Sequence, residues 1–151
     1  MRALQAFPSD REHGGDGQLR RTGMFVGNPR PAAGGAVRYL HGIFAGLSEE
    51  RLHAVFLGAD MRYLHDRTVV TGGLGEVTVR ARWLLQEAFA SGAHGIVLAH
   101  NHLSGICRPS EADIQTTRRL VTLFRDVEIE LVDHFIFTTE RGFSMRAGGY
   151  L

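Results

Sequence analysis

A short segment of this chain carries side chains that could bind a metal ion. His100 and His102 follow the apolar run 95–99, and seven residues separate His102 from Ser110, which precedes Asp113 by three positions. Alternate residues of a strand point to one side, and residues three apart on a helix share a face. Two imidazoles and one carboxylate leave a fourth position for water, which is the open coordination of a catalytic zinc ion. The pattern therefore predicts that His100, His102 and Asp113 bind one zinc ion per chain.

Each half of this pattern also has a purely structural interpretation. Ser110 and Asp113 could form a capping box, in which both side chains satisfy free N–H groups at the start of a helix. A His-x-His pair can equally be a strand end with solvated imidazoles. The string His-Asn-His also names a nuclease motif, but that motif spreads its residues over a longer ββα unit. The apolar strand before the histidines and the helix after them favour a metal site.

The spacing of these residues resembles the JAMM (MPN+) metalloprotease motif. His-Asn-His-x-Ser-Gly at 100–105, Pro-Ser-x-x-Asp at 109–113 and Asp133-His134 are similar to the RadC branch of that superfamily. Further similar segments are Gly72-Gly73-Leu74, Val79 with Arg82, and Phe143-Ser144-Met145-Arg146. The resemblance covers about residues 38–151. It implies a zinc-binding α/β domain in which helices flank a mixed sheet, the JAB/MPN (cytidine-deaminase-like) fold.

Two features depart from the RadC pattern. Leu103 stands where the family usually has proline, which restores a backbone N–H and frees the φ angle in the loop beside the metal ligands. Full-length RadC proteins also carry a helix-hairpin-helix region ahead of this domain, whereas we expect only a short irregular arm here. A DNA-binding role tied to that region is therefore not carried over.

Composition and charge indicate a single soluble domain. The chain has 151 residues, of which 44% are hydrophobic and 22% charged, and its net charge of +1 gives no strong electrostatic footprint for nucleic acid. The single cysteine, Cys107, excludes an internal disulfide framework and suits a reducing compartment. Cys107 could be a soft extra metal ligand, although a passive thiol is the simpler interpretation. With no export signal and no long apolar span, we expect a cytoplasmic protein without membrane contact.

Residues 1–35 predict a flexible arm ahead of a domain over 36–151. The arm contains three of the four prolines and seven glycines, without a sustained apolar period. Up to Arg38 its net charge is about +3, so a weak contact with nucleic acid or a partner is an alternative to a solvated tail.

The rest of the chain predicts alternating helices and strands in one domain. The predicted helices cover 36–47, 78–91 and 111–125, and the predicted strands cover 52–57, 63–71, 95–99 with His100, 129–137 and 143–146. The strands 52–57 and 63–71 would form a hairpin. Thr78 would cap the second helix, Gly92 would stop it, and its inward residues would be Trp83, Leu84, Ala88 and Phe89. The inward residues of the third helix would be Ile114, Thr117, Leu120, Val121 and Phe124.

A zinc hydrolase also needs a general base beside the metal-bound water. Glu49 and Glu50 precede the strand 52–57, and Glu50 falls on the family's glutamate position when this strand is laid on its RadC counterpart. Glu50 is an even number of positions from the strand residues Leu52, Ala54 and Phe56, so its side chain would point to the same face as theirs. The alternative is an exposed turn glutamate. We expect Glu50 to be the base and Ser110 to donate a hydrogen bond to the developing oxyanion.

Three functions remain open at this stage. The first is a zinc metallopeptidase or isopeptidase that acts on a peptide or protein substrate. The second is an inactive metal-binding MPN interaction module, which Leu103 in place of proline makes more credible. The third is a DNA-repair accessory factor of the RadC type, against which the near-neutral charge counts. The sequence does not decide whether the chain forms a homodimer. We expect Asp133 and His134 to support either the metal site or the fold.

Overall fold

The computed structural model describes residues 34–71 and 77–151, which contain three helices and five strands. In chain order these are α1 (Gly34–Phe44), β1 (Arg51–Leu57), β2 (Tyr63–Thr71), α2 (Val77–Ser91), β3 (Gly95–Asn101), α3 (Glu111–Arg125), β4 (Glu130–Phe137) and β5 (Gly142–Ser144). The predicted arm up to residue 33 and the segment Gly72-Gly73-Leu74 lie outside the described residues. No helix within the described ranges is long and apolar enough to cross a membrane.

The strands form one mixed sheet in the order β2-β1-β3-β4-β5. β1 pairs antiparallel with both β2 and β3, β3 pairs parallel with β4, and β5 returns antiparallel on β4. All seven residues of β3 are buried, as its continuous apolar run predicts for a central strand covered on both faces. The predicted hairpin and the predicted α/β domain with a mixed sheet flanked by helices are confirmed.

Helices cover both faces of this sheet. Leu52, Ala54 and Phe56 of β1 pack with residues of α2 and α3, as their shared parity predicts. Val55 and Leu57 face the opposite side and pack with α1. Because the side chains of a strand alternate with a period of two, β1 contributes to both halves of the core.

The bounds of α1 differ from the prediction. The helix begins at Gly34 and ends at Phe44, so Gly34 and Gly35 belong to the folded domain and not to the arm. Gly46 then takes a φ of +73°, a left-handed conformation that glycine adopts without steric cost. The helix therefore ends at Phe44 and not at Leu47, the end that the apolar pattern predicts.

In α2 the predicted cap and one predicted core residue are wrong. The helix begins at Val77, which places Thr78 within its first turn. Gly92 follows the helix with a φ of +66°, as expected of a C-terminal stop. Phe89 is 62% exposed, because it follows the buried Ala88 by one residue and a single step rotates a helical side chain by about 100° away from the core.

α3 has the predicted bounds, and a capping box sets where it starts. The Ser110 hydroxyl accepts a hydrogen bond from the backbone N–H of Asp113 at 3.1 Å, and the Asp113 carboxylate accepts one from the backbone N–H of Ser110 at 2.7 Å. The buried residues of this helix are Asp113, Thr116, Thr117, Leu120 and Phe124. The first turn of α3 therefore carries a buried carboxylate to the end of β3.

Candidate metal centre

Three side chains converge where β3 ends and α3 begins. Candidate ligand atoms of His100, His102 and Asp113 all lie within 4.8 Å of one another. The Nε2 atoms of the two histidines are 2.8 Å apart, and each lies 3.3 Å from an oxygen of Asp113. The structure thus brings together the three residues that the sequence proposes as metal ligands.

A buried chain of hydrogen bonds orients the ring of His100. The Thr117 hydroxyl lies 2.8 Å from Nδ1 of His134, and Nε2 of His134 lies 2.9 Å from Nδ1 of His100. The bond between these two imidazoles directs Nε2 of His100 toward His102 and Asp113.

His102 directs the same nitrogen atom into the cluster. Its Nδ1 donates to the carbonyl oxygen of Ile106 at 3.0 Å, so in the neutral imidazole the lone pair lies on Nε2. Oδ1 of Asp113 is buried and accepts no hydrogen bond. Two imidazole nitrogens and an unsatisfied carboxylate oxygen form a donor set that fits a metal ion.

The electrostatics of the cluster also favour bound positive charge. Burial alone would raise the pKa of Asp113, but the imidazoles of His100 and His102 hold it well below its usual value. Hydrogen bonding to Asp113 in turn raises the pKa of His102. Burial lowers the pKa of His134 well below its ordinary value, which favours its neutral form.

Asp113 is placed both to cap α3 and to bind a metal, the two roles that its sequence context allows. Its Oδ2 accepts hydrogen bonds from the backbone N–H and the hydroxyl of Ser110, at 2.7 and 2.6 Å, while its Oδ1 stays free for a metal. A capping box and a metal ligand are compatible because a carboxylate has two oxygens. The Ser110 hydroxyl proton points at Asp113, so it must turn away from that oxygen before it can donate to an oxyanion.

Glu50 lies at the rim of the cluster, one residue before β1. The antiparallel pairing of β1 with β3 carries it alongside His102, and its charge contributes to the raised pKa of His102 after the larger effect of Asp113. Oε1 of Glu50 accepts a hydrogen bond from the backbone N–H of Leu103 at 3.2 Å. Glu49 instead forms a surface ion pair with Arg51. Of the two candidate bases, the structure brings only Glu50 to the cluster.

Asn101 holds the segment that carries Glu50, a role that the sequence analysis missed. Its buried side chain accepts a hydrogen bond from the backbone N–H of Arg51 at 2.7 Å and donates one to the carbonyl oxygen of Glu49 at 3.0 Å. These bonds join the start of β1 to the end of β3. The available signal was an amide side chain within a buried strand, since such a group must find hydrogen-bond partners.

Cys107 is not one of the converging ligands. Its thiol donates to the carbonyl oxygen of Ile136 at 3.4 Å and packs among apolar side chains, and burial raises its pKa. Asp133, next to His134, accepts hydrogen bonds from the Ser144 hydroxyl and the backbone N–H of Arg146. Cys107 therefore lies outside the converging cluster, and Asp133 fastens β5 and the segment after it to β4.

The sequence of this domain matches a known family. A comparison with protein-family models aligns residues 32–150 with the RadC-like JAB domain. This chain belongs to the RadC-like JAB domain family. The match includes every residue of the converging cluster together with Glu50 and Ser110, so the whole candidate site lies within the RadC-like JAB domain.

Curated relatives of this RadC-like JAB domain are bacterial proteins. The UPF0758 protein of Geobacillus thermodenitrificans is 35% identical over 70% of this chain and 46% of the relative, as is UPF0758 protein YsxA of Bacillus subtilis. UPF0758 protein BCE33L4198 of Bacillus cereus is 32% identical over 83% of this chain and 54% of the relative. The chain spans about half the length of the curated relatives it matches.

Proposed function

We propose that this domain is a zinc-dependent metallopeptidase or isopeptidase that hydrolyses an amide bond in a peptide or protein substrate. The observation that carries the proposal is the convergence of Nε2 of His100, Nε2 of His102 and the free Oδ1 of Asp113. Nitrogen and carboxylate ligands that leave one coordination position open are typical of catalytic zinc. Zinc held by His100, His102 and Asp113 would supply Lewis-acid activation of water and of the scissile carbonyl.

Glu50 is proposed as the general base. Its carboxylate is exposed at the rim of the cluster, and the Leu103 N–H engages only one of its oxygens. The other oxygen can accept a proton from the attacking water and later pass it to the leaving amine nitrogen. Asn101 supports this role, because its two hydrogen bonds hold the backbone on either side of Glu50.

Ser110 is proposed to stabilise the oxyanion that develops on the scissile carbonyl. Its hydroxyl lies 2.6 Å from Oδ2 of Asp113, beside the ligand cluster, and rotation about one bond would redirect the proton to substrate. A single donor of this kind is commonly worth about 3 kcal/mol in the transition state. Thr117 and His134 have a different role, which is to hold the His100 ring so that its Nε2 faces the cluster.

An inactive interaction module is the second candidate, and one observation favours it. Leu103 and Ile106 are large apolar side chains that stay exposed in the loop beside the cluster, as they would on a surface that binds a protein. Such a module would bind zinc through the same three residues without needing Glu50 to take a proton.

Metal content and cleavage assays test the proposal together. The purified domain, loaded with zinc and freed of excess metal, should hold one zinc per chain by mass spectrometry. His102→Ala should lose it, while His94→Ala, an exposed histidine outside the cluster, should retain it. Equal zinc content in the His102→Ala variant would overturn the metal assignment. Zinc binding without cleavage across a broad peptide and isopeptide library would replace the enzyme with the interaction module.

A further inference from the structure

The loop after His102 exposes two large apolar side chains next to the candidate metal centre. Leu103 is 54% exposed and Ile106 is 63% exposed. Among residues 35–69 and 81–151 the other exposed large hydrophobic side chains are Phe89 on α2, at 62%, and Leu123 on α3, at 38%. Two of these four large side chains therefore fall within four positions beside a ligand. We name Leu103 and Ile106 the apolar lip.

The backbone of the apolar lip is tied to the residues of the site. The N–H of Leu103 donates to Glu50 at 3.2 Å, and the carbonyl of Ile106 accepts from Nδ1 of His102 at 3.0 Å. Gly105 makes the turn between them with a φ of +74°. Main-chain polar groups at both ends of the loop thus hold the proposed base and a proposed ligand, while the side chains remain in solvent. The lip keeps a set position relative to the cluster.

The apolar lip lies within reach of a polypeptide bound at the cluster. Consecutive Cα atoms are 3.8 Å apart, so a residue adjoining the scissile amide lies within one side-chain length of the cluster. Leu103 follows His102 directly, which places the lip within reach of that residue. An apolar side chain there would cover surface that Leu103 and Ile106 now expose to water. An acidic side chain would gain nothing from this contact.

We propose that the apolar lip makes the site selective for substrates with a bulky apolar residue, such as Leu or Phe, next to the scissile amide bond. This inference rests on the proposed function, since it names the substrate class of the same site. It assigns Leu103 and Ile106 as specificity-determining residues. Neither of them needs to take part in the chemical step.

Peptide binding to an inactive variant tests the lip apart from cleavage. Glu50→Gln keeps an oxygen that can accept the Leu103 N–H, and it would hold a bound peptide intact. The probes are fluorescein-labelled decapeptides that differ only in a central Leu, Phe, Ser or Asp, with binding to the zinc-loaded variant measured by anisotropy. We expect the Leu and Phe peptides to bind about tenfold more tightly than the Asp peptide, which is the usual scale for one apolar contact.

Matched double variants in the same Glu50→Gln background locate the preference. Leu103→Ser with Ile106→Ser removes both apolar side chains but keeps the N–H that Glu50 needs, and it should reduce the preference to about twofold or less. Phe89→Ser with Leu123→Ser removes the same number of exposed apolar residues from α2 and α3, and it should leave the preference intact. Melting curves for both variants confirm folding, which substitution of exposed residues should preserve.

The possible outcomes separate this inference from the proposed function. The selectivity assigned to the lip would be overturned if the Leu and Asp peptides bound equally or if neither bound. It would also be overturned if the Phe89→Ser, Leu123→Ser variant lost as much preference as the Leu103→Ser, Ile106→Ser variant. A binding preference together with no cleavage by the unmutated domain would support the lip and contradict the peptidase. Cleavage without preference for an apolar flanking residue would support the peptidase and contradict the selectivity of the lip.

Discussion

The backbone N–H of Leu103 donates a hydrogen bond to Oε1 of Glu50 across 3.2 Å, and this bond joins the loop after β3 to the residue before β1. A proline at position 103 has no N–H and could not form it. Because the main chain makes the bond, the position of Glu50 does not depend on which side chain follows His102, provided that the residue is not proline. One carboxylate oxygen is held in this way and the other stays available for chemistry.

Glu50→Gln should separate the position of this side chain from its basicity. The glutamine oxygen can still accept the Leu103 N–H, but it cannot take a proton from water at neutral pH. We expect zinc content and melting temperature to be preserved, while peptidase activity falls at least ~100-fold. Glu49→Gln is the matched control, since Glu49 pairs with Arg51 at the surface, and it should remain active. Full activity in Glu50→Gln would exclude Glu50 as the base.

Ser110→Ala should affect both stability and turnover. Loss of the hydroxyl removes one half of the capping box at the start of α3, which should cost about 1 kcal/mol in the free energy of unfolding by urea denaturation. Zinc should be retained, because Oδ1 of Asp113 does not depend on Ser110, and turnover should fall if the hydroxyl also donates to the oxyanion. Ser91→Ala, at the end of α2, controls for loss of a serine hydroxyl distant from the cluster. Unchanged turnover would leave Ser110 with a capping role only.

Thr117→Val tests the buried chain that orients His100. Valine has nearly the same shape but leaves Nδ1 of His134 without its partner in the core, which should cost about 1 to 3 kcal/mol of stability. It should also weaken zinc affinity by about 10-fold to 100-fold, since the orientation of the His100 ring is less firmly held. Thr116→Val, the neighbouring buried threonine, should leave zinc affinity unchanged. Equal zinc affinities in the two variants would show that Thr117 does not act through His134.

Asp66→Asn should reduce stability in a pH-dependent way, on the sheet face opposite the metal centre. Asp66 lies 3.0 Å from Nε2 of His53 and accepts from the hydroxyls of Tyr39 and Tyr63; burial alone would raise its pKa, but these hydrogen bonds lower it below the usual 3.8. Its carboxylate therefore stabilises the fold above about pH 3.8, and that contribution is lost as the pH falls through the lower folded-state value.

Urea denaturation across pH checks this sign. The unmutated domain and Asp66→Asn should differ by roughly 2 kcal/mol at pH 7, the scale for hydrogen bonds to a charged group. The difference should shrink below about pH 4. Asp60→Asn, an exposed aspartate of the β1–β2 turn, should show little difference at any pH. A difference that grows on acidification would contradict the expected effect.

Features set by local periodicity were readable from the sequence alone. The start of α3 follows from its capping box, the end of α2 follows from Gly92, and the burial of β3 follows from an unbroken apolar run. The choice of His100, His102 and Asp113 also rests on local spacing, because two residues of a strand and one turn of a helix fix the direction of each side chain. Family membership was predictable for the same reason, since its motifs are short and contiguous.

Only the tertiary structure decided how these groups act on one another. His134 lies 34 residues after His100, and Thr117 lies 17 residues before His134, so no local pattern could show that the three form one hydrogen-bonded chain. The same holds for Asn101 and the segment before β1, which strand pairing alone brings together. Side-chain identity and spacing determine which atoms can bind a metal. Packing between distant segments determines how those atoms are oriented and which of them already have hydrogen-bond partners.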